Sequence, residues 1–311
     1  MKLDRRQFLG AALVGAGGAV LAHSSLQAAE SKETPVNPYE LVPLGKTGLK
    51  VSRIGFGTGM AGGMRESNQT RLGKEKFEAL IKETYDRGVR MFDMADLYGS
   101  HPYVGRVLKQ VREKCVFNTK IWVMGGGIPE SERPDPDVIV DRFRKELQTD
   151  YIDVVLLHCQ MTGNWPDQQK RYLDGLAKLK EKGIVKACGI SAHSLDALKT
   201  AAASNWVDSV NVRINHVAQS MDVRQQSQVE SQVAPVLKSL HDAGKGVVGM
   251  KVCGEGRWKN PDQASMRTAS IKYVLGLGSV DTMVVGFESA SELDDFEKRV
   301  VAVMKEMKAK A

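Results

Sequence analysis

From residue 53 onward the chain alternates between two patterns. Short, almost unbroken apolar runs lie near 53–57, 91–95, 116–121, 153–158, 186–191, 209–214, 247–252 and 281–286. Between them, apolar positions recur at the three- and four-residue spacing of a helix that buries one face. Lys74 to Arg87 places Phe77, Leu80, Ile81 and Thr84 on such a face, and Asp137 to Leu147 does the same with Val138, Ile139, Phe143 and Leu147. Trp165–Lys182, Ser231–Ala243 and Ser291–Lys305 continue the series, and Gly88, Gly183 and Gly244 stand where helices stop. Runs that are apolar throughout, rather than alternating, predict strands buried on both faces, hence a parallel sheet with helices outside it. Eight such units predict an α/β fold, a closed (β/α)8 TIM barrel. No G-x-G-x-x-G sequence opens a helix after a strand, which argues against an open doubly wound sheet. Residues 40–51, with turn glycines Gly45 and Gly48, read as a β-hairpin ahead of the barrel. No internal repeat, low-complexity tract or second domain interrupts the pattern.

Composition changes this picture at the N-terminus. The 311 residues are 42% hydrophobic, enough for one sizeable core, and carry a net charge of +7. Of that, +2 falls on residues 1–28 (Lys2, Arg5 and Arg6 against Asp4) and +5 on the rest. The remaining basic residues are mixed with acidic ones and form no stripe, so nucleic acid is not an expected partner. Arg5-Arg6-Gln7-Phe8-Leu9, followed by the Gly- and Ala-rich run Gly10 to Ala22, resembles a twin-arginine export signal. The run is too short and glycine-rich for a stable spanning helix, so no membrane anchor is expected. The expected division is a signal over 1–28, a linker over 29–38 and one barrel domain over 39–311, with cleavage near Ala28-Ala29 or Ala22-His23-Ser24. The export machinery is then a partner, and the periplasm the destination. That pathway carries folded proteins, which fits an enzyme loaded with a cofactor before export. The four cysteines, Cys115, Cys159, Cys188 and Cys253, include no C-x-x-C pair, so no metal site is expected. Cys115 and Cys188, at or in strands, read as small buried hydrophobes.

Polar, proton-handling residues close three consecutive apolar runs. Asp93 ends one and stands five residues before Tyr98; Lys120 ends the next, and His158 the one after. Barrel enzymes carry their chemistry at these strand ends. Taken singly, Asp93 reads equally well as a cap, Lys120 as a solvated strand end and His158 as a satisfied core histidine. The four together point to proton transfer.

Their setting resembles the aldo-keto reductases. Leu44 to Thr58 is similar to that family's opening hairpin and first strand, and Phe92-Asp93-Met94-Ala95 with Tyr98-Gly99 to its second-strand motif. Asn118-Thr119-Lys120, Leu156-Leu157-His158 and Gly189-Ile190-Ser191 resemble its third, fourth and fifth strand ends. The likeness runs from about residue 39 to the C-terminus. It implies reduction of an aldehyde or ketone by hydride transfer from a nicotinamide dinucleotide. Tyr98 would be the general acid, Lys120 would lower its pKa, Asp93 would hold Lys120, and His158 would orient the carbonyl or relay a proton.

The resemblance also implies a cofactor site built from Gly57, Thr58, Ser191, Asn211, Met250, Lys251, Gly254, Gly286 and Phe287. It departs from the family at several of these. Ala192 replaces an asparagine, Asn211 stands where glutamine is usual, and Met250 takes the place of a stacking aromatic. Lys251 and the loop Gly254-Glu255-Gly256 sit where barrels bind phosphate. Glu288 and Glu292 lie where a cation often meets a 2′-phosphate, which weakens the expected preference for NADP(H) over NAD(H) without reversing it. Trp122, Trp165 and Trp258, with Met60, Met94, Met124 and Met161, fall near strand ends and are expected either to line an apolar mouth for a small carbonyl substrate or to pack in the core. A monomer is expected. A non-catalytic nucleotide-binding or redox-sensing protein on the same barrel is the alternative these residues leave open.

Overall fold

The computed structural model describes residues 36–310; the expected export segment and most of the linker lie outside them. An antiparallel pair, β1 (Leu41–Pro43) and β2 (Lys50–Ser52), forms the hairpin. Eight parallel strands follow: β3 (Ile54–Gly57), β4 (Met91–Asp93), β5 (Val116–Ile121), β6 (Ile152–Gln160), β7 (Val185–Ala192), β8 (Ser209–Arg213), β9 (Gly246–Met250) and β10 (Thr282–Val285). They close into a barrel in chain order, β10 pairing with β3. This is the (β/α)8 TIM barrel with an N-terminal hairpin.

Two apolar layers hold it. Alternate residues point inward, so Met91, Val116, Val154, Leu156, Ala187, Val248 and Val284 fill the barrel, and Leu44, Leu49 and Val51 of the hairpin join them. The other alternation, with Phe56, Phe92, Phe117, Val155 and Ile190, packs against the helices. The hairpin caps the end where the strands begin. Lys46 N donates to Gly244 O at 2.7 Å, and Gly45 (φ +50°) lies so close that a Cβ there would stand 2.5 Å from the same carbonyl oxygen. Chemistry is left to the opposite end.

Helices expected over 74–87, 137–147 and 291–305 occupy Lys74–Arg87, Pro136–Leu147 and Ala290–Lys310. The stretch expected as one helix over 165–182 breaks at Gln169 into Trp165–Gln168 and Lys170–Glu181. Three α-helices of eight residues or more lay outside the expected set: His101–Leu108, Leu195–Ala203 and Ala264–Gly276. The strand expected to 252 stops at Met250, because Lys251 takes a left-handed φ of +62° and turns the chain out of the sheet. Among the described residues no helix is long and apolar enough to cross a membrane, and no group of three or more His, Cys, Asp or Glu is placed to hold a metal.

Candidate active site

Period-two alternation sets the site's floor. On β4, Met91 and Asp93 face inward; on β5, Val116, Asn118 and Lys120; on β8, Ser209 and Asn211. The register pairs Gly57 with Asp93 and Asp93 with Asn118, so these side chains meet at the level where the strands end. Lys120 Nζ donates to Asp93 Oδ2 at 2.7 Å and to Met94 O at 2.8 Å. Asp93 Oδ1 accepts from Asn118 Nδ2 at 2.7 Å and from Asn211 Nδ2 at 2.8 Å. The Asp93 carboxylate is thus bonded through both oxygens, with Lys120 only 1% exposed. Burial lowers the Lys120 pKa, while the charge and hydrogen bond of Asp93 pull the other way.

After β4 the chain makes one tight turn, Asp96–Tyr98, and Gly99 (φ +63°) redirects it into the next helix. The turn sets the Tyr98 ring 5.2 Å from Lys120 Nζ and its hydroxyl 3.4 Å from His158 Nε2. The expected depression of the phenol pKa is not what this packing produces. Burial, and then the charge of Asp93, push it above its ordinary value, because the nearest cation is engaged by Asp93. The phenol is therefore protonated at neutral pH. The His158 ring makes T-shaped contacts with Tyr98 and Trp122 at ring separations of 5.6 and 5.4 Å, and lies tilted to His193 at 6.3 Å. Burial first, then Lys120 and His193, hold it neutral, and its buried Nδ1 has no partner among the described residues.

A cavity of about 820 Å³ opens beside these groups, lined by Asp93, Tyr98 and Lys120 together with Gly57, Met250, Lys251, Gly286 and Phe287 from the expected cofactor set. His158 is not in its lining and reaches only the Tyr98 hydroxyl beside it. Thr58, Ser191, Asn211 and Gly254 are not in its lining. Thr58 instead donates to Asp93 O at 2.9 Å and shares a 2.7 Å bond with the Ser100 hydroxyl, tying the β3 and β4 ends together. Asn211 spends its amide on Asp93. Ser191 is buried, its hydroxyl without a partner. Gly254 packs against Trp258. Lys251 is paired with Glu255. Glu288 and Glu292 are not bare: Lys259 Nζ lies 2.7 Å from one and 3.2 Å from the other, and Asn68 Nδ2 donates to Glu288 at 2.9 Å. Lys259 escaped the sequence reading because it lies 29 residues from Glu288 in an irregular loop.

The apolar mouth is narrower than expected. Trp165 and Met94 are fully buried in the barrel–helix layer, Trp165 donating to Ala197 O at 3.3 Å. Met60 and Trp258 do line the cavity, and Met161 is exposed. Cys115 and Cys188 are buried.

Residues 53–269 match the model of the aldo/keto reductase family. The Glycine max protein named "Probable aldo-keto reductase 1" is 30% identical over 224 residues, which cover 69% of this chain and 60% of that protein's length. The fold of the holo form of an aldo-keto reductase from Bacillus halodurans superposes with a TM-score of 0.66 at 20% identity, over 84% of this chain and 91% of that one. An aldo/keto reductase from Klebsiella pneumoniae, solved with NADP and acetate, gives 0.58 at 17% identity over 81% and 86%. At these identities the two structures speak to the fold alone.

Proposed function

The chain belongs to the aldo/keto reductase family, and on that premise we propose that it is an exported carbonyl reductase that uses a nicotinamide dinucleotide, with Tyr98 as the proton donor. One observation carries this reading: the Tyr98 hydroxyl stands 3.4 Å from His158 Nε2, beside the Lys120–Asp93 pair, in the lining of an 820 Å³ cavity. The residues present fit the cofactor. Gly57 and Gly286 give the cavity walls without side chains, and Met250 in the same lining offers a thioether able to pack on a ring. When bound, the dinucleotide supplies the hydride.

The chain's own groups handle the proton. Tyr98, held protonated, gives the proton on its phenol oxygen to the carbonyl oxygen of a small aldehyde or ketone. His158, held neutral, presents Nε2 to the same place and orients that oxygen. Lys120 acts on the phenolate left behind: its ammonium, fixed by Asp93, is the nearest positive charge to the ring. Lys259 between Glu288 and Glu292 supports a modest preference for NADP(H) over NAD(H). Arg5-Arg6-Gln7-Phe8-Leu9 supports export by the twin-arginine machinery to the periplasm.

A second reading has its own observation. Ala192 offers no amide, and Asn211 spends its amide on Asp93, so nicotinamide contacts are thinner than the family pattern implies. That favours a protein that keeps the nucleotide without turnover. Titrating nucleotide-free protein with NADPH and NADH by tryptophan fluorescence, then adding 4-nitrobenzaldehyde and following loss of the reduced nicotinamide, separates the two. Binding with turnover supports the reductase; binding without turnover selects the second reading; no binding overturns both.

A further inference from the structure

Nothing inside the site fixes the Tyr98 hydroxyl tightly. Its contact with His158 is at the long limit of a hydrogen bond, and it shows no direct bond to Lys120. The turn that carries it is instead held from outside the barrel. Asp96, two residues before the phenol, is 4% exposed. Its Oδ1 accepts from Arg65 Nε at 3.3 Å and its Oδ2 from Arg142 Nη2 at 2.6 Å. Arg142 Nη1 donates to Glu146 Oε1 at 3.0 Å, and Glu146 Oε2 meets His101 Nδ1 at 2.9 Å. His101 Nε2 meets Thr119 Oγ1 at 2.7 Å. Thr119 lies between Asn118 and Lys120 on β5, with its side chain on the outer face of the barrel. The path therefore leaves the turn of Tyr98, crosses the helix Pro136–Leu147, and returns through the helix His101–Leu108 to the strand that carries Lys120.

The other side of the ring is closed by the loop after β3. A Cβ on Gly59 would stand 2.2 Å from Tyr98 Cε2, and one on Gly62 2.5 Å from Cδ1. Arg65, which pins that loop to Asp96, also pairs with Glu132. A buried carboxylate held by two guanidiniums is not an efficient way to stabilise a three-residue turn; an apolar contact of similar volume often serves as well or better. What the charge network adds is a defined geometry, since bidentate and charge-assisted bonds have little freedom of direction.

We propose that Asp96 is a positioning residue for the Tyr98 phenol, with Arg142 as its anchor to the Lys120 strand and Arg65 as its anchor to the covering loop. This rests on the reading of Tyr98 as proton donor. None of the three needs to touch substrate. Their effect is on where the hydroxyl stands when the carbonyl arrives, and a displacement near 1 Å at a reacting group commonly costs about 10²-fold in rate.

The test uses the full-length protein and four variants: Asp96→Asn, Arg142→Lys, Tyr98→Phe, and the Asp96→Asn/Tyr98→Phe double. Asp96→Asn is expected to lower kcat by about 10- to 100-fold, with KM for the aldehyde and Kd for NADPH little changed. Arg142→Lys, which keeps a cation beside Asp96 but cannot also span to Glu146, is expected to lower kcat less than Asp96→Asn does. In the Tyr98→Phe background the Asp96 change is expected to cost nothing further, because it acts only through the phenol. If Asp96→Asn does not fold, Arg65→Met replaces it, since that side chain is 38% exposed and its loss leaves Arg142 in place; a smaller kcat loss, again absent without Tyr98, is expected. A kcat within twofold of wild type in the folded variant, an equal further loss in the Tyr98→Phe background, or a loss that tracks Kd for NADPH would each overturn the proposal. Full turnover by Tyr98→Phe alone would instead overturn the reading beneath it.

Discussion

The proposed proton donor is Tyr98, and its environment makes two predictions. Tyr98→Phe removes the only hydroxyl at that point while keeping the ring that Gly59 and Gly62 pack against, so kcat is expected to fall by about 10²–10⁴ with NADPH affinity retained. Stopped-flow turnover with 4-nitrobenzaldehyde checks it; a wild-type rate would remove Tyr98 from the mechanism. The second concerns pH. Burial holds His158 well below the ordinary histidine range and sets His193 at about 3. Both are therefore neutral in the folded protein where the unfolded chain begins to bind protons, below the ordinary value of 6.5. Their contribution to stability is full above that pH and declines as pH falls below 6.5, for His193 down to about 3, at a limiting slope of about 1.4 kcal/mol per pH unit for each group. Urea denaturation from pH 7.5 to 4.5 measures the slope, and a shallower one in His193→Gln would assign part of it. Much of this site was legible in the sequence: Asp93, Tyr98, Lys120 and His158 are brought together. The sequence reading did not reach the supports, Asn118 and Asn211 on Asp93, because an amide on a strand says nothing of which carboxylate it will face across a closed barrel.

Elements differ in how plainly a chain announces them. All eight barrel strands were readable because both of their faces are largely buried, so each contains a run that is mostly apolar. The helix Ala264–Gly276 was not, because its apolar residues do not gather on one face: Ala264, Met266, Ala269, Ile271, Tyr273 and Val274 point around the axis. The helix His101–Leu108 was hidden by its own polar residue, since His101 is buried and satisfied by Glu146 and Thr119 rather than by apolar neighbours. The hairpin was expected from Gly45 and Gly48, but its role as the plug of the barrel appears only in the packing of Leu44. Gly45 decides that packing. At φ +50°, and with backbone 2.5 Å from where a Cβ would stand, alanine must push the hairpin off the Gly244–Gly246 segment. Gly45→Ala is therefore expected to destabilise the protein by about 1–3 kcal/mol, read as a lower denaturant midpoint. Turnover of the remaining folded molecules should change little, since the hairpin caps the end opposite the site. A midpoint equal to wild type would mean that the hairpin is not docked as described.

For the whole molecule the question is how cofactor and compartment fit together. Replacing Arg5 and Arg6 by lysine is expected to leave the protein in the cytoplasm with its nucleotide-binding intact; mature protein still accumulating in the periplasm would show that the export motif was misread. A reductase that leaves the cytoplasm folded takes its nucleotide from the pool it leaves, so discrimination between NADPH and NADH belongs to the cavity and not to the destination. On the proposed function, that discrimination would lie with the charges at the end of the cavity that includes Glu292. Glu288 and Glu292 alone would repel a 2′-phosphate, but Lys259, itself in the cavity lining, bridges them at 2.7 and 3.2 Å, while the Asn68 amide donates to Glu288. The Lys259 pKa is raised, burial working against it and Glu288 and Glu292 outweighing burial, so it carries its charge at every physiological pH. Lys259→Met leaves Glu292 in the cavity lining, and Glu288 bonded to the lining residue Asn68, without the cation that bridges them. Each like charge within a few ångströms of a phosphate costs affinity, and the ribose of NADH carries no such group. Binding of NADPH is therefore expected to weaken by about tenfold relative to NADH, a coupling of about 1.4 kcal/mol, with most of the change lost at high salt because the pair is part-exposed. Fluorescence titrations of wild type and Lys259→Met with both nucleotides, at low and high ionic strength, measure the ratio. An unchanged ratio would place the 2′-phosphate away from Lys259, and a ratio that moved equally at both salt concentrations would make the effect one of shape rather than charge.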